Sequence, residues 1–148
     1  MGKSVKVDIS EIIDIQNIMK RLSAMNIFEL KKSMGVELED VAKDRFDTKN
    51  KKSPDNEKWK EWSASYAKYA NKDRRKSILV TEGILQESIT SDVRNEGVYI
   101  GSTVIYAKTH QDGYKEKNIP ARPFLGFGEE ESSAIYSTIE EFIKAAGV

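Results

Sequence analysis

The chain has 148 residues, 39% hydrophobic and 32% charged, a composition suited to one soluble domain with a sizeable core. Lys and Arg total 24, as do Asp and Glu, and this zero formal charge argues against a generic nucleic-acid coat or an acidic tail. No cysteine is present, which excludes a disulfide framework, thiolate zinc sites and a cysteine nucleophile.

Val5, Val7 and Ile9 alternate with Lys6 and Asp8, predicting a first strand. Ser10, followed by Glu11 and Asp14, predicts the start of a short helix. Ile27, Leu30, Met34, Leu38, Val41, Ala42 and Phe46 then recur mostly at steps of three and four. They predict one long amphipathic helix, with Gly35 off its apolar face. Asp47 to Asn56 is polar, contains Pro54 and predicts an exposed loop. Trp59, Trp62, Tyr66 and Tyr69 are spaced for a second amphipathic helix, which a hydrophilic break with Arg74, Arg75 and Lys76 ends.

Ile78 to Ile89, interrupted by Gly83, is compatible with a short helix or with strand edges. Ile89 to Arg94 and Val98 to Gly101 flank Asn95-Glu96-Gly97 and predict an antiparallel hairpin. Tyr106 to Gly113 predicts a turn of helix closed by its glycine, and Gly113 to Asn118 a polar loop. Ile119 to Phe127 is expected to be extended, pinned by Pro120 and Pro123. Glu129, Glu130 and Glu131 open a last helix whose apolar face is Ile135, Ile139, Phe142, Ile143 and Ala146. The fold class expected is α+β: a small, mostly antiparallel sheet packed with one long helix, a C-terminal helix and shorter helices, in a single domain over 1–148.

Motifs for chemistry are missing. His110 is the only histidine, and with Asp112 and Glu116 nearby it makes a poor metal site. No Gly-x-Ser-x-Gly elbow frames a serine. Gly126-Phe127-Gly128 lacks the third glycine of a dinucleotide fingerprint, and acid pairs such as Glu39-Asp40 read as solvated surface. Neither catalysis, a metal nor a cofactor is expected. No stretch approaches the roughly 20 apolar residues that span a bilayer, and Met1 to Ser10 has no signal-peptide core, so no membrane partner is expected either.

Charge is segregated along the chain. Residues 1–76 carry 18 basic and 13 acidic side chains, a net of +5, and residues 77–148 carry 6 and 11, a net of −5. The basic, aromatic region 49–76 is open to three readings: a nucleic-acid-binding module, a buried aromatic stripe, or a protein contact. Ile119-Pro120-Ala121-Arg122-Pro123-Phe124-Leu125-Gly126 holds Arg122 between rigid residues, for a carboxylate on a partner or for a salt bridge within its own domain.

Five blocks in order give the chain a further character. Val41-Ala42-Lys43-Asp44-Arg45-Phe46 closes the long helix, and Pro54-Asp55-Asn56-Glu57-Lys58-Trp59 with Ser63 and Tyr66 follows. Then come Ile78-Leu79 with Thr81-Glu82-Gly83-Ile84-Leu85-Gln86-Glu87-Ser88-Ile89, and Tyr99-Ile100-Gly101-Ser102 with Tyr106-Ala107 and His110-Gln111-Asp112-Gly113. Ile119 to Gly126 is the last. In these blocks the chain resembles the phage virion morphogenesis (tail completion) family of tailed bacteriophages and prophages. It departs at Asn56, where the family commonly has glycine, and at the polar Thr109, where an apolar residue is usual.

The resemblance implies a non-enzymatic structural protein, made in the host cytoplasm and built into the virion, that completes the tail and helps join it to the head. Its implied partners are other tail and neck proteins and copies of itself in a ring, a hexamer in the virion, with a monomer in solution before the tail templates it. Nucleic acid is not an expected partner, although a nucleic-acid-binding accessory module at 49–76 is the alternative. The candidate assembly and motif residues are Trp59, Trp62, Tyr66, Arg74, Arg75, Gly83, Leu85, Gly101, Tyr106, His110, Gln111, Gly113, Pro120, Arg122, Pro123 and Phe124. If the oppositely charged halves meet between subunits, raised salt is expected to weaken the ring.

Overall fold

A computed structural model describes residues 16–17, 19–21, 23–24, 26–47, 50–70, 77–80 and 83–147. The strand predicted at 5–9, the helix start at 10–14 and the basic run with Arg74 and Arg75 lie outside the described residues.

Helix α1 (Ile27–Asp44) matches the predicted long helix and begins at Asn26, whose side chain accepts a hydrogen bond from the Glu29 amide at 3.3 Å. That cap satisfies one of the amides a helix start leaves open. Its apolar stripe packs on the C-terminal helix α5 (Glu129–Ala145) and on both strands of the hairpin, β1 (Ile89–Val93) and β2 (Val98–Ser102).

Gly35 overturns an expectation here. It is buried, and a Cβ at this position would lie 2.6 Å from Ser91 Oγ and 2.9 Å from Ser91 Cβ. The missing side chain lets the helix backbone approach β1, so Gly35 belongs to the packed face rather than the exposed one. Glu39, one turn further on, accepts a hydrogen bond from the Ser91 amide and so occupies an outward-facing donor of the strand.

The hairpin is antiparallel, with Ile89 opposite Ser102 and Val93 opposite Val98, and its turn is closed by backbone bonds between Arg94 and Gly97. Between the long helix and the hairpin the described residues include two short helices, α2 (Ala64–Ala70) and α3 (Ile84–Glu87); α4 (Ala107–Asp112) follows β2. The fold is α+β, as expected: among the described residues, helices lie against a small two-stranded antiparallel sheet.

The core collects Ala42, Phe46, Trp59, Ile78, Leu85, Ile89, Ala107 and Phe124. Phe46 lies at its centre, edge-on to Trp59 at 5.4 Å and to Phe124 at 5.5 Å between ring centroids. Such edge-to-face pairs match the positive edge of one ring to the negative face of the other. Helix α2 starts only at Ala64, so the helix predicted from Trp59 is corrected: Trp59 and Trp62 precede it on extended chain. The loop predicted at 47–56 is also less free than expected. Ser53 is buried, Lys52 bridges to Lys58, and the Pro54 ring occupies the space a Cβ of Gly126 would need.

On α5 the predicted apolar residues Ile135, Ile139, Phe142 and Ile143 are half-buried, while Ala146 is exposed and lies just past the helix. The most buried side chains of that helix are instead Glu131 and Thr138. Glu131 accepts from the Gly128 amide at 2.9 Å, capping its own helix, and forms an ion pair with the buried Arg45.

Candidate assembly surface

The segment from Ile119 to Phe124 runs without helix, while Leu125 and Gly126 form a bend where extended chain was predicted, and several groups hold it in place. Upstream, Gly113 takes φ +78°, and a Cβ there would meet the Ala121 amide nitrogen at 2.7 Å. The chain therefore needs glycine where it folds back on itself. A 3₁₀ turn at Lys115–Lys117 and Asn118 at φ 53° complete the return, and Tyr114 and Ile119 bond to each other through their backbones.

The Gln111 side chain then clips the segment: its Nε2 donates to the Leu125 carbonyl at 2.7 Å, and its Oε1 accepts from the Phe124 and Leu125 amides, both at 3.0 Å. Trp59 Nε1 donates to the Pro123 carbonyl at 2.8 Å. Arg45 Nη1 donates to the Phe124 carbonyl at 3.4 Å. These groups supply the pairing that a second strand would give, where prolines prevent regular pairing.

Arg122 corrects the reading from sequence. It is buried, with Nε donating to the Lys60 carbonyl at 2.7 Å and Nη2 to the Glu61 carbonyl at 2.9 Å. Its fork is thus occupied by main-chain oxygens of its own fold rather than by a carboxylate on a partner or within the domain. Burial lowers its pKa, and the neighbouring Glu61 acts in the opposite direction. His110, whose carbonyl accepts from the Arg122 amide at 2.8 Å, has its pKa lowered first by burial and then by the Arg122 charge. The Tyr106 ring stands edge-on to it at 5.9 Å.

Beside this segment lies a groove of about 870 Å³, between α2, α3, α4 and the chain from Lys117 to Arg122. Its walls bring together eight of the predicted residues: Trp62, Tyr66, Gly83, Leu85, Tyr106, His110, Pro120 and Arg122. Trp62 stacks edge-on against Tyr66 at 5.6 Å, and Tyr66 in turn lies 6.0 Å from Tyr69. Gly83, at φ +78°, starts α3. Leu85 faces both groove and core.

The other predicted residues sit elsewhere. Trp59 and Phe124 are core, Pro123 lends its carbonyl to Trp59, Gln111 and Gly113 shape the segment, and Gly101 pairs with Thr90 in the hairpin. A buried Trp59 has no face free for a base, which removes one of the four aromatics that suggested nucleic-acid stacking.

Two residues escaped sequence reasoning. Arg45 is 1% exposed and pairs with Glu131 and Glu130; its position beside Ala42 and Phe46 on the apolar stripe was the available signal. Lys51 donates to the Phe46 and Ile78 carbonyls, and burial brings its pKa down to about 8. Nothing in its sequence context marks it. Among the described residues no group of three or more His, Cys, Asp or Glu side chains is placed to hold a metal ion, and no helix is long and apolar enough to cross a membrane.

Residues 10–144 match the sequence model of the phage virion morphogenesis family. The chain belongs to that family. Two curated relatives agree in extent. The provisionally named capsid assembly protein G of Escherichia phage Mu is 32% identical over 96 residues, which is 60% of this chain and 62% of that one. The chain thus spans less than two thirds of that relative's length. An uncharacterised protein of Methanocaldococcus jannaschii is 33% identical over 102 residues, 66% of this chain and 71% of that one. No solved structure gives a significant match. One departure from the family pattern is accommodated directly: Asn56, standing for the common glycine, takes φ 67°, a conformation asparagine tolerates better than most residues.

Proposed function

We propose that this chain is a structural component of a tailed phage particle that completes the tail and takes part in joining it to the head, without catalysis. The observation that carries the reading is the family match over 10–144, and the Mu relative's name ties a similar chain to particle assembly. The architecture supports it. Trp59, Gln111 and Arg122 tie loops to the core, and beside them lies an aromatic groove suited to a protein neighbour rather than a constellation for chemistry.

The test is genetic. Deleting the gene from the phage or prophage that carries it is expected to leave lysates with separate heads and tails and few infectious particles, seen by electron microscopy and titre. Normal joined particles from the deletion would overturn the reading.

A further inference from the structure

Two surface features of this chain complement each other in charge. The first is the groove, whose polar lining holds Lys60, Lys117 and Arg122 against one carboxylate, Glu61, around the aromatic walls of Trp62 and Tyr106. The second is the outer face of α5. There Tyr136 is 68% exposed, with Glu129 seven residues before it and Glu140 and Glu141 in the turn after it, all exposed. Helical spacing puts Tyr136 and Glu140 on one stripe. No residue of α5 lines the groove, so one copy presents both surfaces independently.

We infer that the groove receives the outer face of α5 from a second copy of this chain, with Tyr136 as the anchor between Trp62 and Tyr106 and with Glu140 facing Lys60 and Lys117. An amphipathic helix laid into a groove through one aromatic anchor is a common mode of protein recognition, and tyrosine is among the residues that carry binding energy at interface centres. Because the two surfaces differ, the contact is heterologous and propagates from copy to copy, closing into a ring or continuing as a filament according to its rotation. This occupant rests on the assembly reading proposed above.

The absence of native cysteine makes a disulfide test clean. Phage carrying Tyr106→Cys together with Tyr136→Cys is grown, particles are purified, the chain is detected in them under reducing conditions, and the particles are oxidised. A ladder of cross-linked chains is expected from the double variant, and none from either single variant, because a heterologous contact never places two copies of one position together. Incorporated chain that stays uncross-linked, or a dimer from one single variant, overturns the inference and leaves the assembly reading standing; the groove would then serve another tail protein. Absence of the wild-type chain from particles overturns both. As a second measurement without cysteines, Lys60→Glu with Lys117→Glu is expected to lower infectious titre by about tenfold or more through like-charge contacts. Adding Glu140→Lys in the same chain is expected to restore part of it. A combined variant no better than the first would count against the pairing.

Discussion

Trp59 and Pro123, 64 residues apart, are joined by a hydrogen bond of 2.8 Å from the indole nitrogen to the prolyl carbonyl. The same indole packs edge-on against Phe46, so one side chain serves the core and the extended segment at once. Trp59→Phe keeps much of the ring contact but leaves the Pro123 carbonyl without this donor. A loss of about 1–3 kcal/mol is expected, the usual cost of an unsatisfied buried polar group. Urea unfolding checks it: the midpoint falls while the slope stays constant.

The pair Arg45 and Glu131 invites a sharper test, because both side chains are almost wholly buried. Arg45→Ala strands a carboxylate in the interior and is expected to cost about 3–5 kcal/mol. Arg45→Met combined with Glu131→Leu removes both charges and should recover much of that loss. Denaturation of Arg45→Met, Glu131→Leu and the double variant reads the coupling.

At Gly35 two effects oppose each other. Alanine gains about 1 kcal/mol of helix propensity, yet its methyl would sit 2.9 Å from Ser91 Cβ, which rotation of the serine cannot relieve. Overpacking of this kind costs about 1–3 kcal/mol, so Gly35→Ala is expected to be net destabilising. Ser91→Gly in the same chain should remove the obstruction, and a double variant more stable than Gly35→Ala alone checks the cause.

Lys51 sets a pH dependence. Its pKa is about 8 in the folded chain, against 10.5 for an ordinary lysine, because burial disfavours the ammonium. Between those values the unfolded chain binds more protons, so this residue's contribution to stability rises with pH from about 8 to 10.5 and is flat outside that window. Lys51→Met lacks the rise. Thermal unfolding of both proteins at pH 7 and pH 10 is expected to show the wild type gaining relative to the variant.

The long helix, the hairpin around Asn95-Glu96-Gly97, the short helix ending at Gly113 and the extended run after Ile119 were all legible, because periodicity and turn residues are local signals. Trp59 was misplaced because steps of three and four cannot separate a helix from an extended lead-in that happens to share its spacing. The partners of Arg122 were not legible for a different reason. They are carbonyl oxygens of Lys60 and Glu61, and every residue supplies one, so composition carries no trace of the pairing. Arg45 was half legible: its register put it on the buried stripe, but only the return of α5 supplied Glu131.

That use of carbonyls has a consequence for divergence. The lock formed by Arg122, Gln111 and Trp59 grips main-chain atoms at 60, 61 and 123–125, and the side chains of Lys60 and Glu61 point no donor or acceptor into it. Substitutions at 60 and 61 can therefore alter the charge of the groove while the scaffold beneath keeps its bonds. A lineage can re-key this surface to a changed neighbour without renegotiating its fold.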